Sequence, residues 1–352
     1  MLAADRGALL LGIESSCDDT AAAVTEGNSV LSHIVSGQSV HGEYGGIVPE
    51  LASRAHQRNI VPVVDAALHR AKVGLSSIDG IAFTQGPGLP GSLHVGVAFA
   101  KSLALSYKLP LYPVHHLQAH VLSHFIEQDE GPPLPFLCAT VSGGHTQLVL
   151  MRSMEDMELI GRTRDDAAGE AFDKTARTLG LPYPGGPMID RYAKGGDPEA
   201  FSFPEAGIEG YDMSFSGLKT AVLYRVKALQ KEGYRLEGKL LCDLCASVQD
   251  AVASHLLGKI KKGIRGKAPA AVGLAGGVAA NSHLRTRFSA LAEEKGIPGY
   301  IPPFTYCTDN AAMIGITGAY SHHKGLVSGQ EVTPLPRTPF PSTERSGGTF
   351  RT

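Results

Sequence analysis

The segment His115-His116-Leu117-Gln118-Ala119-His120 is the one best equipped for chemistry. On a helix, side chains four apart lie about 5–6 Å from each other at Cβ. His116 and His120 would then present two imidazoles to one divalent cation. The spacing matches the helical pair of H-E-x-x-H metalloproteases, but no Glu follows His116. His120 and His124 stand equally far apart, so spacing alone does not choose the pair, and surface or capping histidines satisfy it too. A third ligand must come from elsewhere in the chain. Asp309, within Cys307–Met313 (CTDNAAM), is a candidate. A carboxylate in front of a small-residue helical run is also an ordinary N-cap.

Glycine turns form a second group. Val141–Thr146 reads VSGGHT between two apolar runs, Gly276-Gly277 closes another apolar run ahead of Asn281, and Gly185-Gly186 precedes Pro187 and Asp190. Such turns let backbone N–H groups approach a phosphate closely. None is a Walker A loop or a G-x-G-x-x-G fingerprint. Several at strand ends suggest a nucleotide held in a cleft. Glu14, Asp18 and Asp19 crowd another turn, where they would bind a cation or serve as acid and base, although turns favour Asp in any case. Lys259, Lys261, Lys262, Arg265 and Lys267 form a basic run that could meet RNA phosphates or be a solvated helix end. No G-x-S-x-G elbow is present.

The elements that must position these residues show a weak internal repeat. Ala8–Ile13, the polar turn Glu14–Asp19 and Thr20–Thr25 read as a β-hairpin, and Phe136–Val141, Ser-Gly-Gly-His and Thr146–Met151 read as another. Two such units suggest two related lobes. A helical pattern covers Ala52–Ala71, with Ile60, Val61, Val64 and Leu68 on one face, and Pro62 kinks it or marks its start. A strand over Gly80–Thr84 leads into a small-residue helix from Ser92 to Tyr107. Cys245, Val248, Val252, Leu256 and Ile260 keep helical spacing, and Ala271–Leu274 reads as a buried strand. Strands alternating with helices imply mixed α/β sheets covered by helices. The proline-rich segment beyond Thr333 is expected to be extended or disordered.

The chain has 352 residues, enough for two lobes, and a formal charge of −2, which argues against a wholly cationic nucleic-acid binder. There is no uninterrupted apolar run of about 18 residues, so no membrane span is expected, and the N-terminus lacks a basic leader. A cytoplasmic protein is expected. Five cysteines, with the lone C-x-x-C of Cys242 and Cys245 inside a helical pattern, read as buried thiols rather than a disulfide framework or zinc site.

Ten spaced segments resemble the TsaD family of tRNA threonylcarbamoyladenosine synthases, in its bacterial branch. They are Gly12–Thr20 (GIESSCDDT), Gly45–Arg54 (GGIVPELASR), Gly86–Leu89 (GPGL), Lys101–Val121, Val141–Leu148 (VSGGHTQL), Asp165–Ala176 (DDAAGEAFDKTA), Tyr183–Pro187 (YPGGP), Ser214–Thr220 (SFSGLKT), Ala275–Asn281 (AGGVAAN) and Cys307–Met313. They run in family order from about residue 10 to about residue 320.

The resemblance implies a two-lobed actin/Hsp70/sugar-kinase-like (ASKHA) α/β fold, each lobe a mixed sheet flanked by helices. The expected division is 1–114, completed by about 325–340, then 115–324, with 341–352 a disordered tail. It implies transfer of the threonylcarbamoyl group of threonylcarbamoyl-AMP to N6 of adenosine 37 in tRNAs reading ANN codons. The implied metal is a single divalent ion, Fe(2+) favoured over Zn(2+), held by His116, His120 and Asp309 rather than His124. Implied substrate contacts are Thr140, Val141, Ser142, Gly143, Gly144, Asp173, Gly186, Asp190 and Asn281, with an adenine nucleotide as part of the substrate or bound as ATP or ADP. Glu14, Asp18 and His145 are candidates for a general base, and His115 for a packing role. TsaB-like and TsaE-like proteins are the implied partners. A metal-dependent glycoprotein endopeptidase, a kinase of the same fold and a nucleotide-binding scaffold are the competing readings.

Overall fold

The structure, a computed structural model, describes residues 7–205 and 207–341. Two five-stranded sheets repeat one topology. The first comprises β1 (Leu9–Glu14), β2 (Thr20–Glu26), β3 (Ser29–Ser36), β4 (Gly80–Gly86) and β5 (Leu111–His115), in the order β3-β2-β1-β4-β5. The second comprises β6 (Phe136–Val141), β7 (Thr146–Met151), β8 (Met157–Arg162), β9 (Ala271–Ala275) and β10 (Gly299–Tyr300), in the order β10-β9-β6-β7-β8. Each is an antiparallel meander whose first strand also pairs in parallel with a later strand, β4 or β9. The two hairpins expected from the repeat are therefore equivalent parts of two lobes.

Helices Pro49–Ala71 and Pro90–Tyr107 cover the outer face of the first sheet, burying Ile60, Val63, Val64, Val97 and Ala100 against Leu11, Ile13 and Phe83. The first of these helices starts at Pro49, where a missing N–H costs nothing, and runs through Pro62. Pro62 is thus not its start, and Val61 is exposed rather than part of the buried face. The opposite face of the sheet holds helix Ala311–His323, with Ala311, Ile314 and Ala319 packed on Leu10, Ala21 and Ala82. This helix follows most of the second lobe in sequence but packs on the first.

Its approach is close because glycines face each other. A Cβ on Gly12 would stand 2.5 Å from the Ala311 oxygen and 2.8 Å from the Gly315 nitrogen. We expect Gly12→Ala to destabilise the protein by about 1–3 kcal/mol through overpacking, read as a lowered midpoint in denaturant unfolding. An unchanged midpoint would mean that the helix is free to shift.

The second lobe has its largest core around helix Gly238–Lys267, where Cys245, Val248, Val252, Leu256 and Ile260 are all buried. By length and composition this helix could cross a membrane, yet 67% of its most apolar window is buried inside the fold. Its apolarity is that of a core helix.

Helix His116–Leu122 lies between the inner faces of the two sheets. Ala119 joins the cluster on the first sheet, while Leu117, Val121 and Leu122 join Phe136, Cys138 and Val149 of the second. Beyond Thr333 the chain is ordered as far as Pro341. Leu335 N–H donates to the Gln85 oxygen, the Pro336 oxygen accepts from Gly88 N–H, and Phe340 is buried with its ring edge-on to His115. Of the expected disordered tail, residues 342–352 lie outside the described residues.

Candidate metal centre and substrate cleft

β1, β4 and β5 run parallel, so their carboxyl ends share one edge of the first sheet. Ligand sites in α/β proteins form at such edges. Glu14 ends β1, Thr84 lies near the end of β4, and His115 ends β5. His115 caps the next helix, its Nδ1 accepting from Gln118 N–H, and His116 and His120 follow on that helix.

His116, His120 and Asp309 converge, with one ligand atom from each lying within 4.8 Å of the others. Asp309 Oδ1 is 3.1 Å from His120 Nε2 and 3.4 Å from His116 Nε2. The helix N-cap is not Asp309 but Asn310, whose side chain accepts from Met313 N–H. The neighbour does the capping, and Asp309 is left free to face the imidazoles. His124 turns away, its Nδ1 hydrogen-bonded to the Val121 oxygen.

Glu14 is fully buried behind His116. Its carboxylate accepts from Ser16 N–H at 2.5 Å and from Thr84 Oγ1 at 2.6 Å, and lies 3.1 Å from His116 Nδ1. A proton held at Nδ1 leaves Nε2 to face Asp309, the usual carboxylate–histidine support of a metal ligand. Burial alone would lower the His116 pKa, but Asp309 and Glu14 outweigh it and raise the value to about 10. Burial likewise opposes ionisation of Asp309, yet His116 and His120 hold its carboxyl well below the usual range.

Asp18 and Asp19 add to the negative charge. Burial, then Asp18, Asp309 and Glu14, push the Asp19 carboxyl up to about 7. Two imidazoles, one carboxylate and an acidic surround suit a divalent cation. Such an ion must displace the His116 proton, so its affinity should rise with pH between 6 and 8. Titration of metal into metal-free protein across that range tests this, and a flat profile would contradict it.

The cluster opens into a cavity of about 400 Å³ between the lobes. Asp18, Asp19, His116 and Asp309 line it from one side, and Ser142, Gly143, Gly144 and His145 from the other, with Gly277 and Tyr183 at the edge. Of the three candidate bases, Asp18 and His145 border this space while Glu14 is enclosed. Burial, reinforced by His116, lowers His145 to about 4, and burial raises Asp18. Thr140 and Val141 are buried in β6 behind the turn.

The remaining expected substrate residues do not line the cavity. Asp173 accepts from Gly185 N–H at 2.7 Å, next to Gly186, and Asp190 accepts from Ser282 N–H and Oγ. Asn281 caps helix Ser282–Glu294 and donates to Gln249. Asp173 thus holds the N-terminal end of helix Gly185–Ala193, and Asp190, on that helix, holds the N-terminal end of helix Ser282–Glu294.

The sequence reading missed Thr84, Tyr183 and Thr308 at this site, and it missed the partnership of Glu14 with His116. A polar residue at the end of each parallel strand was the available signal. Only part of the basic run is free, since Lys262 and Arg265 are exposed without an ion-pair partner among the described residues. Lys259 is buried and donates to the Ile208 and Gly210 oxygens, while Lys267 and Lys261 pair with Glu158 and Glu294.

A family model described as TsaD, tRNA N6-adenosine threonylcarbamoyltransferase, matches residues 29–316. The chain belongs to the TsaD family. Curated members of similar length are close to it. The tRNA N6-adenosine threonylcarbamoyltransferase of Christiangramia forsetii is 51% identical over 94% of this chain and 98% of its own. That of Porphyromonas gingivalis is 50% identical over 94% and 97%.

Among solved structures, T. kodakarensis HypF matches 91% of this chain and 48% of its own at a TM-score of 0.61 and 15% identity. Full-length HypF in its phosphate- and nucleotide-bound form matches 92% and 57% at 0.59 and 14%. These share the two-lobed ASKHA fold. Like its curated relatives, this TsaD-family chain is a transferase that forms N6-threonylcarbamoyladenosine in tRNA. The endopeptidase reading is not favoured.

Proposed function

We propose that this chain transfers the threonylcarbamoyl group of threonylcarbamoyl-AMP to N6 of adenosine 37 in tRNAs reading ANN codons. The observation that carries the reading is the convergence of His116, His120 and Asp309 at a cleft bordered by a glycine turn. Those three residues would hold one divalent cation, Fe(2+) favoured over Zn(2+), with Glu14 orienting His116. When bound, such an ion supplies Lewis acidity toward the carbonyl under attack.

The chain's own groups do the rest. The N–H groups of Gly143 and Gly144 bind an anionic part of the donor. Asp173, Gly186, Asp190 and Asn281, which stand back from the cavity lining, are assigned to the adenylate end of the donor, with Thr140 and Val141 behind the turn. As N6 bonds to the carbonyl carbon, the bond to the phosphate oxygen breaks and AMP leaves. The N6 proton passes to Asp18 or His145. Both border the cavity, and neither is tied up by the other. An exocyclic amine is a poor nucleophile, so fixed orientation contributes much of the rate.

TsaB-like and TsaE-like proteins complete the system in the cytoplasm, and no membrane is involved. We take the first lobe to be residues 1–114 together with the segment from Ala311 to Pro341, since the helix that opens that segment packs on the first sheet.

The test supplies purified chain and both partners with threonylcarbamoyl-AMP and a transcript of an ANN-decoding tRNA. Modified nucleoside should accumulate in step with AMP. Donor consumption without modified nucleoside would overturn the reading.

A further inference from the structure

The Ser142–His145 turn borders a second cavity on its other side. This one encloses about 540 Å³ and is lined by Gly144, His145, Thr146, Gln147, Arg162, Thr163, Arg164, Asp165 and Asp212. It shares Gly144 and His145 with the substrate cleft, and its other lining residues have no part in the transfer chemistry. We propose that it binds a backbone phosphate of the tRNA beside the adenosine that enters the cleft. The inference rests on the transferase reading and deepens it.

Four observations support the assignment. First, strand register fixes the location. Arg162 ends β8 opposite Gln147 of β7, and Thr163 N–H donates to the Thr146 oxygen, so Arg162 lies beside the tip of the β6–β7 hairpin. Second, the carboxylates present are already occupied. Asp165 accepts from Ser214 Oγ, Phe215 N–H, and the N–H and Oγ of Ser216. Asp212 accepts from Arg162 N–H and Arg164 Nε.

Third, cationic donors are left over. Both arginines are exposed, Arg164 engages Asp212 through Nε, and the Arg162 guanidinium makes no ion pair within 4 Å among the described residues, although its charge also bears on Asp212. A guanidinium presents a rigid fork suited to phosphate oxygens. Fourth, the shared turn is open. Nothing lies within 4 Å of a Cβ placed on Gly143 or Gly144. The transfer reading gives their N–H groups to the donor, so the open turn leaves room for a phosphate that rests on the arginines.

Entry of the adenine into the cleft carries its flanking phosphates across this turn, and Arg162 and Arg164 stand on the far side. Each phosphate contact contributes about one unit to the slope of log affinity against log salt.

The experiment adds purified full-length chain, threonylcarbamoyl-AMP and transcript of an ANN-decoding tRNA to an extract of cells depleted of the chain, and follows modified nucleoside over a salt series. Arg162→Ala is expected to raise KM for tRNA severalfold and to flatten its salt dependence by about one unit, and Arg162→Lys to restore the slope. Arg162→Glu should raise KM by about tenfold or more, and Arg164→Ala should act in the same direction as Arg162→Ala. KM for threonylcarbamoyl-AMP should not move, and unchanged thermal unfolding would exclude a folding defect. Unaltered KM and salt slope in both Arg162→Ala and Arg162→Glu would overturn the phosphate site while leaving the transferase reading intact. If the wild type itself forms no modified nucleoside, the transferase reading fails and takes the site with it.

Discussion

His116→Ala is expected to abolish transfer while leaving a folded protein. The substitution removes one of three ligand atoms that lie within 4.8 Å of each other, and with it the imidazole between Glu14 and Asp309. Two ligands hold a divalent ion poorly, so bound metal should fall from stoichiometric to a small fraction. Lewis-acid stabilisation is worth several kcal/mol, and about 1.4 kcal/mol corresponds to a factor of ten. The rate should therefore drop by at least about a hundredfold. Because the change also leaves two buried carboxylates without their cationic neighbour, Asp309→Asn is the companion variant. It removes the charged ligand and relieves that repulsion. Both variants should lose metal and activity together. Full activity in a variant shown to be metal-free would separate the reaction from this cluster.

Glu14→Gln should weaken metal binding by about ten- to a hundredfold, the range expected when a residue that orients a metal ligand is changed. Glu14 touches the reacting space nowhere, yet its carboxylate takes three donors from three different elements. Gln preserves the shape, but with its amide oxygen kept on Ser16 N–H it places an amide N–H opposite both Thr84 Oγ1 and His116 Nδ1, where an acceptor is needed. His116 then loses the partner that fixes its tautomer. Excess metal should restore much of the activity of Glu14→Gln, because the ligands remain, whereas it should not rescue a variant lacking the proton acceptor. Loss of activity at wild-type metal affinity would mean that Glu14 acts in the reaction itself.

These two residues also show where sequence reading reaches its limit. The His116/His120 pair was legible because the i,i+4 spacing is local, and the hairpins were legible because apolar runs bracket short polar turns. Asp309 lies 189 residues from His120. Spacing could nominate it only as a cap, and family resemblance had to single it out. The structure then shows why it is free, since Asn310 takes the cap. The contact of Glu14 with His116 spans 102 residues and exists only because β1, β4 and β5 end at one sheet edge. That adjacency is a property of strand order, which local patterning does not encode. The same holds for the basic run. Lys259 looks like a surface charge in sequence, but the loop carrying Ile208 and Gly210 supplies carbonyl oxygens that absorb its ammonium group. Pro62 does not start its helix for a related reason, since a helix held by packing on a sheet tolerates an internal proline that an isolated helix would not.

The most direct test of the central claim is the threonylcarbamoyladenosine content of tRNA from cells depleted of this protein, measured by mass spectrometry of digested nucleosides. The account predicts that the nucleoside disappears, returns with the wild-type chain, and stays absent with His116→Ala. A nucleoside level unchanged by depletion, or restored in full by His116→Ala, would contradict it.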